Sequence, residues 1–268
     1  MSKMEAIKTF RDLLSFLTII PLAKTEEFAL TASKYMFLFP VIGGLIGLFA
    51  AAYFQVCVFL VSNILVFVNS FFHIPTVVGV KLAVSLMTLA FLLVLTGFQH
   101  FDGLVDLGNA IGLHRVEERR EAAHAWIVTY KGAFLAIFVE LVAFLGLFFL
   151  NASFAFKAII ASEVAAKLAM VTIAYVGKPA HKGLGSLFLA NVGRKKRNII
   201  AYFLAFLILF PLLGVNSLWV ILGSFLLGIF MEQVSNKVFA GVSGDMIGAT
   251  NETARAVTLI LMASVLAA

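Results

Sequence analysis

The sequence predicts an all-α, polytopic integral membrane helical bundle. Hydrophobic residues make up 62% of the 268-residue chain and charged residues only 13%, and the mean hydropathy is +1.05. A soluble domain of this size needs a polar surface that such a composition does not supply. Several uncharged runs also approach the length that a helix needs to cross a bilayer. We therefore expect one membrane domain over residues 1–268, with about seven transmembrane helices of roughly 20 residues each.

The predicted spans come from the apolar runs. Their approximate ranges are residues 36–68, 80–98, 133–150, 156–176, 199–214, 217–235 and 255–268. The first run, with Pro40 near its start, fits either one long tilted helix or two short ones. Ahead of it, residues 4–22 are predicted to form an interfacial amphipathic helix ended by Pro21, with a short first span as the alternative.

Positive charge decides between one and two crossings for the first run. Lys and Arg cluster in residues 3–34, 114–131 and 178–197, and such connections stay in the cytoplasm. A single crossing puts all three on one side, whereas two crossings separate the first from the second. We therefore predict a single crossing, a cytoplasmic N-terminus, an outer C-terminus, and polar loops gathered on the cytoplasmic face.

The net charge of +6 and the single cysteine bear on partners and metals. Basic residues beside apolar spans are explained by topology and by anionic lipid, so we expect the lipid bilayer, and no nucleic acid, as a partner. Cys57 alone cannot form an internal disulfide or a thiolate-rich metal cluster within one chain.

The stretch 99–109 carries the strongest functional signal. Asp102 and Asp106 follow an apolar run four residues apart, so a helix places them side by side, with Asn109 one turn further on. Two carboxylates this close repel each other unless a cation lies between them. Mg²⁺ is the hard cation that carboxylates hold together with substrate phosphate oxygens. His100 fits a base, a metal ligand or a polar interface residue.

A second acid cluster lies near the C-terminus. On a helix, Asp245 and Glu252 share a face, with Gly248 between them leaving room for a phosphate or a neighbouring helix. Ser243 or Gly244 is expected to cap that helix. Asp245 also fits an ordinary helix start, whereas Glu252 does not.

A basic loop is the third candidate. Lys182, Gly183 and Gly185 can cradle a phosphate with backbone amides and an ammonium group, although the spacing is not that of a Walker motif. The alternative is positive charge that serves topology alone, which is the better explanation of residues 194–197.

Four ionisable residues inside predicted spans stand out, Glu140, Glu163, Lys167 and Glu232, the last near the cytoplasmic end of its span. Glu163 and Lys167 lie four residues apart with the acid first, so they are expected to neutralise each other. Glu140 has no partner in its own helix. It must pair across helices, line a polar cavity or be protonated.

Several segments together point to one family. They are His100-x-Asp102-Gly103-Leu104-x-Asp106, Gly183 to Phe188, Gly241 to Ala249 with Glu252, Phe16 to Pro21, Phe39 to Gly43, and Gly132-Ala133-Phe134. In order and spacing they resemble the cobalamin synthase family, the integral-membrane adenosylcobinamide-GDP ribazoletransferases, over nearly the whole chain.

Three positions depart from the family pattern. Asn109 stands where the family often has a third acid, Lys131 where it often has an arginine, and Lys167 where it often has another. An Asn carbonyl can still coordinate Mg²⁺, but it donates more weakly than a carboxylate and so favours a second metal ion less. Lysine replaces the charge of arginine and not its bidentate fork.

The resemblance implies phosphoryl transfer in the last steps of cobalamin biosynthesis. A hydroxyl of α-ribazole, or of its 5′-phosphate, attacks the corrinoid-side phosphorus of adenosylcobinamide-GDP, and GMP leaves. The products are adenosylcobalamin, or its 5′-phosphate, and GMP. The resemblance also implies Mg²⁺ as cofactor and a prokaryotic cell membrane. It leaves open a homodimer or association with other corrinoid-pathway enzymes.

For this reaction we expect specific roles at the site. The metal ligands are expected to be Asp102, Asp106, Asn109 and Asp245, with His100 or Glu252 as the base. The expected phosphate-binding residues are Lys131, Lys182, Gly183, Gly185, Gly244 and Gly248.

Two other classes of protein remain as alternatives. A CDP-alcohol phosphotransferase-like enzyme also uses a membrane-surface Asp cluster, but its acids and an arginine lie in one longer motif that this chain lacks. In a cation- or proton-coupled transporter, Glu140, Glu163 and Lys167 would line the pathway. The two repeated halves typical of such transporters are not evident in the sequence.

Overall fold

The computed structural model describes residues 3–23, 27–123, 125, 127–189 and 192–266. Within these ranges the chain is helical and has no strand beyond an isolated bridge between Pro179 and Val242, so the all-α prediction is confirmed. In chain order the helices are α1 (Lys3–Leu17), α2 (Phe28–Lys34), α3 (Phe39–Asn69), α4 (Thr76–Leu95), α5 (Gln99–Ala110), α6 (Val116–Ala123), α7 (Tyr130–Phe149), α8 (Ala152–Val176), α9 (Leu184–Leu189), α10 (Val192–Leu213), α11 (Ser217–Phe239) and α12 (Gly244–Leu261).

Helix α8 forms the centre of the bundle. Of the residues in its most apolar stretch, 89% are buried inside the protein, against 28% to 33% in the other described stretches long and apolar enough to cross a membrane. Helix α3 packs on it at Gly43 and Gly47, where an added Cβ atom would lie 2.5 Å from the Glu163 carbonyl oxygen and 2.7 Å from the Ile160 Cα. Small residues allow this approach, as they commonly do between transmembrane helices.

Five helical stretches in the described residues are long and apolar enough to cross a membrane, so the chain is an integral membrane protein. The first, Met36–Asn69, consists mainly of α3, a continuous helix of 31 residues. The prediction of one helix over residues 36–68 is therefore confirmed, and the alternative of two short helices is wrong. The fifth stretch, Arg197–Phe239, contains both α10 and α11, which a 3-10 turn at Gly214–Asn216 joins.

Helix α12 departs from the prediction of a last span at residues 255–268. It begins earlier, at Gly244, and ends at Leu261. Hydropathy misses its first half because Asp245 and Glu252 make that segment polar. The structure accommodates Glu252 and Arg255 because they pair with each other and with α8 inside the protein.

Helix α1 is shorter than the predicted helix over residues 4–22. It ends at Leu17, ahead of Pro21, and buries Leu13 and Leu17 completely. The chain then continues to the end of α4, where the Ile19 N–H donates to the Leu95 carbonyl at 2.8 Å. Location of α1 at the membrane interface stays a prediction.

The connections that carry the predicted motifs meet at one end of the bundle. Arg120, on α6, donates through Nη2 to the carbonyls of Ala180 at 2.9 Å and Phe239 at 2.8 Å. The Val242 N–H donates to the Lys178 carbonyl at 2.7 Å. These bonds tie α6, the loop before α9 and the loop before α12 together, so distant parts of the chain form a common surface.

Candidate active site

Helix α5 carries the first acid pair and begins at a sharp backbone turn. Gly97 and Phe98 have φ angles of 64° and 57°, in the left-handed region that few residues other than glycine adopt. This turn ends α4 and gives α5 a new direction. From α5, Asp102 is exposed and Asp106 is half-buried.

Helix α12 packs against α5 with almost no space between the two backbones. An added Cβ atom on Gly103 would overlap the carbonyl oxygen of Asp245, and one on Gly248 would lie 3.2 Å from the Cα of His100. Glycine is required at such a close approach because any side chain would push the helices apart. The contact sets the position of Asp245 relative to the acids of α5.

The N-terminus of α12 is capped by a side chain. The Met246 N–H donates to Ser243 Oγ at 3.3 Å, so Ser243 rather than Gly244 is the N-cap. The Ser243 hydroxyl lies 3.3 Å from Oδ2 of Asp245 and donates to it. Asp245 therefore lies in the first turn of α12, where the helix dipole favours a negative charge.

Asp102, Asp106 and Asp245 form what we call the acid cluster. Burial, followed by the charges of Asp245 and Asp102, raises the pKa of Asp106 to about 7, so the three acids lie close enough to repel one another. Within the described ranges, none of the salt bridges involves them. A divalent cation among them would relieve this repulsion.

The acid cluster is open rather than a closed metal cage. Among the residues that the structure describes, no group of three or more His, Cys, Asp or Glu side chains converges as a preformed metal site. Mg²⁺ commonly takes one or two carboxylates and completes its coordination with water and substrate phosphate oxygens. The carboxylates of the cluster, which form none of the described salt bridges, therefore fit Mg²⁺ that binds together with a phosphate-bearing substrate.

Two cavities share the acid cluster as a wall. The first has a volume of about 440 Å³ and includes Asp102 and Asp245 in its lining. The second, of about 450 Å³, is lined by all three acids together with Ile127 and Val128. Both volumes lie within the range of roughly 300–1,000 Å³ that is usual for small-molecule sites. The arrangement can therefore bring two substrates to the same carboxylates from two directions.

The side chain of Asn109 makes hydrogen bonds within the protein. Its Nδ2 donates to the Ile127 carbonyl at 2.7 Å, and its Oδ1 accepts from the N–H and the hydroxyl of Thr129 at 3.0 and 2.7 Å. Both lone pairs of the amide oxygen are thereby occupied. Asn109 holds the segment that borders the second cavity, and we leave it outside the proposed metal ligands.

Three of the predicted phosphate-binding glycines come together. Gly185, Gly244 and Gly248 all line the first cavity. An added Cβ atom on Gly185 would overlap the amide nitrogen of Gly244, so the loop before α9 lies directly on the start of α12.

The remaining predicted phosphate-binding residues lie elsewhere. Lys182 and Gly183 are exposed, and neither lines the two cavities in the described structure. The Gly183 carbonyl accepts from the Ser186 hydroxyl at 2.6 Å. Lys131 also lies outside both linings and donates through Nζ to the Ile111 carbonyl at 3.2 Å.

A buried network of charges lies deeper in the bundle, between α8 and α12. Arg255 donates through Nε to Glu163 at 2.5 Å and through Nη1 to Glu252. Lys167 lies 3.5 Å from Glu163, which confirms the predicted pairing, and donates to Asn251 at 2.6 Å. These five residues, at most 1% exposed, form what we call the ionic network.

Glu252 belongs to this network rather than to the acid cluster. It lines neither cavity as the described residues define them, because Arg255 and Asn251 hold its carboxylate. Glu140, on α7, lies beside it, so of the three possibilities left open for Glu140 the structure shows an interhelical contact. We leave Glu252 outside the groups that would touch substrate.

His100 is the predicted base candidate that does line a cavity. It is buried in the wall of the first cavity. Burial, followed by the positive charges of Lys167 and Arg255, holds its pKa well below the usual value, so the imidazole is neutral at physiological pH. In the described residues, its Nε2 has no hydrogen-bond partner.

Sequence reasoning missed Arg255, although a local signal was present. Glu252 and Arg255 lie three residues apart, the spacing of an ion pair on one helix face. It also missed that Phe16, Phe39 and Phe188 line the same cavity as Asp102. No local signal indicates that contact, because the three rings come from α1, α3 and α9.

The fold and the site together define an all-helical integral membrane protein with an acidic, two-cavity site at one end of its bundle. Residues 9–263 match the family model described as cobalamin-5-phosphate synthase. The chain belongs to this family. Membership favours a cobalamin synthase over the CDP-alcohol phosphotransferase-like enzyme and the transporter.

The similar curated proteins agree with this assignment. An adenosylcobinamide-GDP ribazoletransferase of Haloquadratum walsbyi is 27% identical over 263 residues, covering 94% of this chain and 96% of that relative. One of Methanocella arvoryzae is 31% identical over 204 residues, covering 68% and 74%. One of Clostridium kluyveri is 28% identical over 271 residues, covering 96% and 97%. No solved structure gives a significant match to the chain.

Proposed function

We propose that this chain joins adenosylcobinamide-GDP to α-ribazole, or to α-ribazole 5′-phosphate, by phosphoryl transfer. The acceptor hydroxyl loses its proton and forms a bond to the corrinoid-side phosphorus. The bond from that phosphorus to the bridging oxygen breaks, and GMP leaves with that oxygen. The names of the similar proteins and the shared family support these substrates.

The observation that carries the proposal is the acid cluster between two cavities. Phosphoryl transfer depends on charge neutralisation and alignment of the two reactants. When bound, Mg²⁺ would neutralise charge on the transferring phosphoryl group. Asp102, Asp106 and Asp245 would hold it. The cavities on the two sides of these acids provide separate places for donor and acceptor.

The glycines around the cluster would let a pyrophosphate approach the backbone. Gly185, Gly244 and Gly248 line the first cavity, and the first turn of α12 has amide groups directed toward its N-terminus. A chain of phosphates there would be bound by amides and metal rather than by Lys182 or Lys131.

We further propose that α3, α4, α7, α8, α10, α11 and α12 all cross the membrane of a prokaryotic cell, with the acid cluster facing the cytoplasm. The basic connections at residues 114–131 and 178–197 support this orientation by their charge. The bonds of Arg120 support it because they join these connections at the end of the bundle that holds the site. A homodimer or contact with other corrinoid-pathway enzymes stays a prediction.

The test is release of GMP by purified protein in liposomes that contain Mg²⁺, adenosylcobinamide-GDP and α-ribazole. We expect Asp102→Asn and Asp106→Asn to abolish release in folded protein, while Glu117→Gln keeps it. Glu117 is an exposed acid on α6 outside both cavities, so it controls for loss of one negative charge. Absence of GMP from the wild-type reaction would overturn the proposed reaction, and near wild-type turnover by either Asp variant would overturn the metal assignment.

A further inference from the structure

The first cavity has an apolar wall that phosphoryl chemistry does not require. Phe16, Phe39 and Phe188 all line it, and each pair of rings is in contact. Ring centroids are 5.3 Å apart for Phe16 and Phe188, 6.3 Å for Phe16 and Phe39, and 6.1 Å for Phe39 and Phe188. Met170, from the central helix α8, lines the same cavity. We call these four side chains the aromatic wall.

The aromatic wall is held in place. Phe39 is fully buried, Met170 is 3% exposed and Phe188 is 9% exposed. Rings fixed in this way lose little freedom when a ligand packs on them, which favours binding of a rigid planar group. Ordinary core packing would fill the space between such rings, whereas here they border a cavity of about 440 Å³ that also reaches Asp102.

A polar atom in the same cavity lacks a partner. His100 is 5% exposed, and its Nε2 atom makes no hydrogen bond within the described structure. Leaving such an atom unpaired inside a protein costs free energy, which a ligand atom that pairs with it would recover. The cavity therefore combines an apolar surface for a flat ring, one buried hydrogen-bonding group, and two carboxylates of the acid cluster.

We propose that the aromatic wall binds the benzimidazole base of the acceptor, α-ribazole or its 5′-phosphate. This inference rests on the proposed function. The base lies against Phe16 and Phe188, its ring nitrogen pairs with His100, and its ribose extends to Asp102 and Asp245. The pyrophosphate of the donor reaches the glycines at the start of α12, and the rest of the donor occupies the second cavity, which opens on the same acids.

The guanine of the donor is the other flat ring that the reaction contains. Guanine has several donors and acceptors along its edge, and each loses free energy if it is buried without a partner. The four side chains of the wall offer it none, since the polar lining of the cavity comes from other residues, among them Gln99, Asp102 and His181. The dimethylated benzimidazole has one unsubstituted ring nitrogen and is otherwise apolar, so its chemistry matches that of the wall.

The experiment measures steady-state kinetics for each substrate separately in Phe16→Leu, Phe188→Leu and the control Phe54→Leu. Phe54 is 6% exposed, close to the 9% of Phe188, but it lies outside this cavity. We expect both wall variants to raise the KM for α-ribazole by about 3- to 10-fold, because leucine keeps much of the apolar area but loses the contact between flat rings. The KM for adenosylcobinamide-GDP should stay within about twofold, and Phe54→Leu should change neither.

A second measurement keeps the test valid if Phe188→Leu does not fold. Phe16 is only partly buried, so its variant should fold, and binding of α-ribazole alone can be followed by titration calorimetry. We expect weaker α-ribazole binding and unchanged binding of GDP. A raised KM for the donor alone, or unchanged kinetics in both wall variants, would overturn the assignment. A wild-type protein that releases no GMP would instead refute the proposed function itself.

Discussion

Replacement of Arg255 by methionine should strongly destabilise the protein, because Arg255 is the central member of the ionic network. It is fully buried and contacts both Glu163 and Glu252. Three buried or half-buried acids, Glu140, Glu163 and Glu252, surround two cations, Arg255 and Lys167. Without Arg255, Lys167 alone faces three carboxyl groups, and α12 loses its ionic contact with Glu163 on α8.

The magnitude follows from the burial of the pair. Removing one partner of a buried ion pair costs about 3–5 kcal/mol, because the other charge is left uncompensated. For a chain of this size each kcal/mol lowers Tm by about 2–4 °C, so the variant should melt about 6–20 °C below the wild type. The double variant Glu252→Gln with Arg255→Met should recover part of this loss, since Glu163 keeps Lys167 as a partner.

The assay is thermal unfolding of detergent-solubilised protein, with Arg115→Met as the matched control. Arg115 pairs with Glu118 at 2.7 Å, but their side chains are 78% and 38% exposed. Surface pairs of this kind contribute about 0–1 kcal/mol, so the control should melt within a few degrees of the wild type. Equal melting of Arg255→Met and Arg115→Met would refute a stabilising role of the ionic network.

Three further predictions concern the site. Gly103→Ala places a Cβ atom on the Asp245 carbonyl oxygen and should lower GMP release at least about tenfold. The control Gly223→Ala, with no described atom within 4 Å of its added Cβ, should leave GMP release unchanged. Equal activities of the two variants would contradict the close α5–α12 contact. Asn109→Ala removes three hydrogen bonds and should cost about 2–4 kcal/mol; an unchanged Tm would contradict its structural role. Because the pKa of Asp106 is raised to about 7, its carboxylate is mostly protonated at pH 6 and mostly ionised at pH 8. The Mg²⁺ concentration for half-maximal activity should therefore rise as the pH falls. A Mg²⁺ requirement that does not change with pH would contradict metal binding at Asp106.

Local patterns predicted several parts of the fold and site. The uncharged run from residue 36 to 68 predicted α3 as one helix, because a single crossing places the basic segments on one side of the membrane. The spacing of Asp102 and Asp106 placed both on one face of α5, and both line the second cavity. The acid-first spacing of Glu163 and Lys167 predicted their pairing. In each case the interaction lies within one helix.

Other features depend on contacts between distant segments. Hydropathy does not reveal the early start of α12, because the buried charge of Glu252 is compensated by Arg255, which also pairs with Glu163 on another helix. Asn109 is committed to Thr129 and Ile127, a contact that its own helix does not reveal. The aromatic wall combines Phe16 with Phe188, which belong to opposite halves of the chain. Membrane orientation stays a prediction from charge.

The central claim is that α5 and α12 each contribute carboxylates to one Mg²⁺ site for phosphoryl transfer. The most direct measurement is the Mg²⁺ dependence of GMP release in wild type, Asp102→Asn and Asp245→Asn. If the helices share one site, both variants should need at least about tenfold more Mg²⁺ or lose activity. Wild-type Mg²⁺ dependence in Asp245→Asn, with loss only in Asp102→Asn, would show that α12 contributes no ligand and contradict the account.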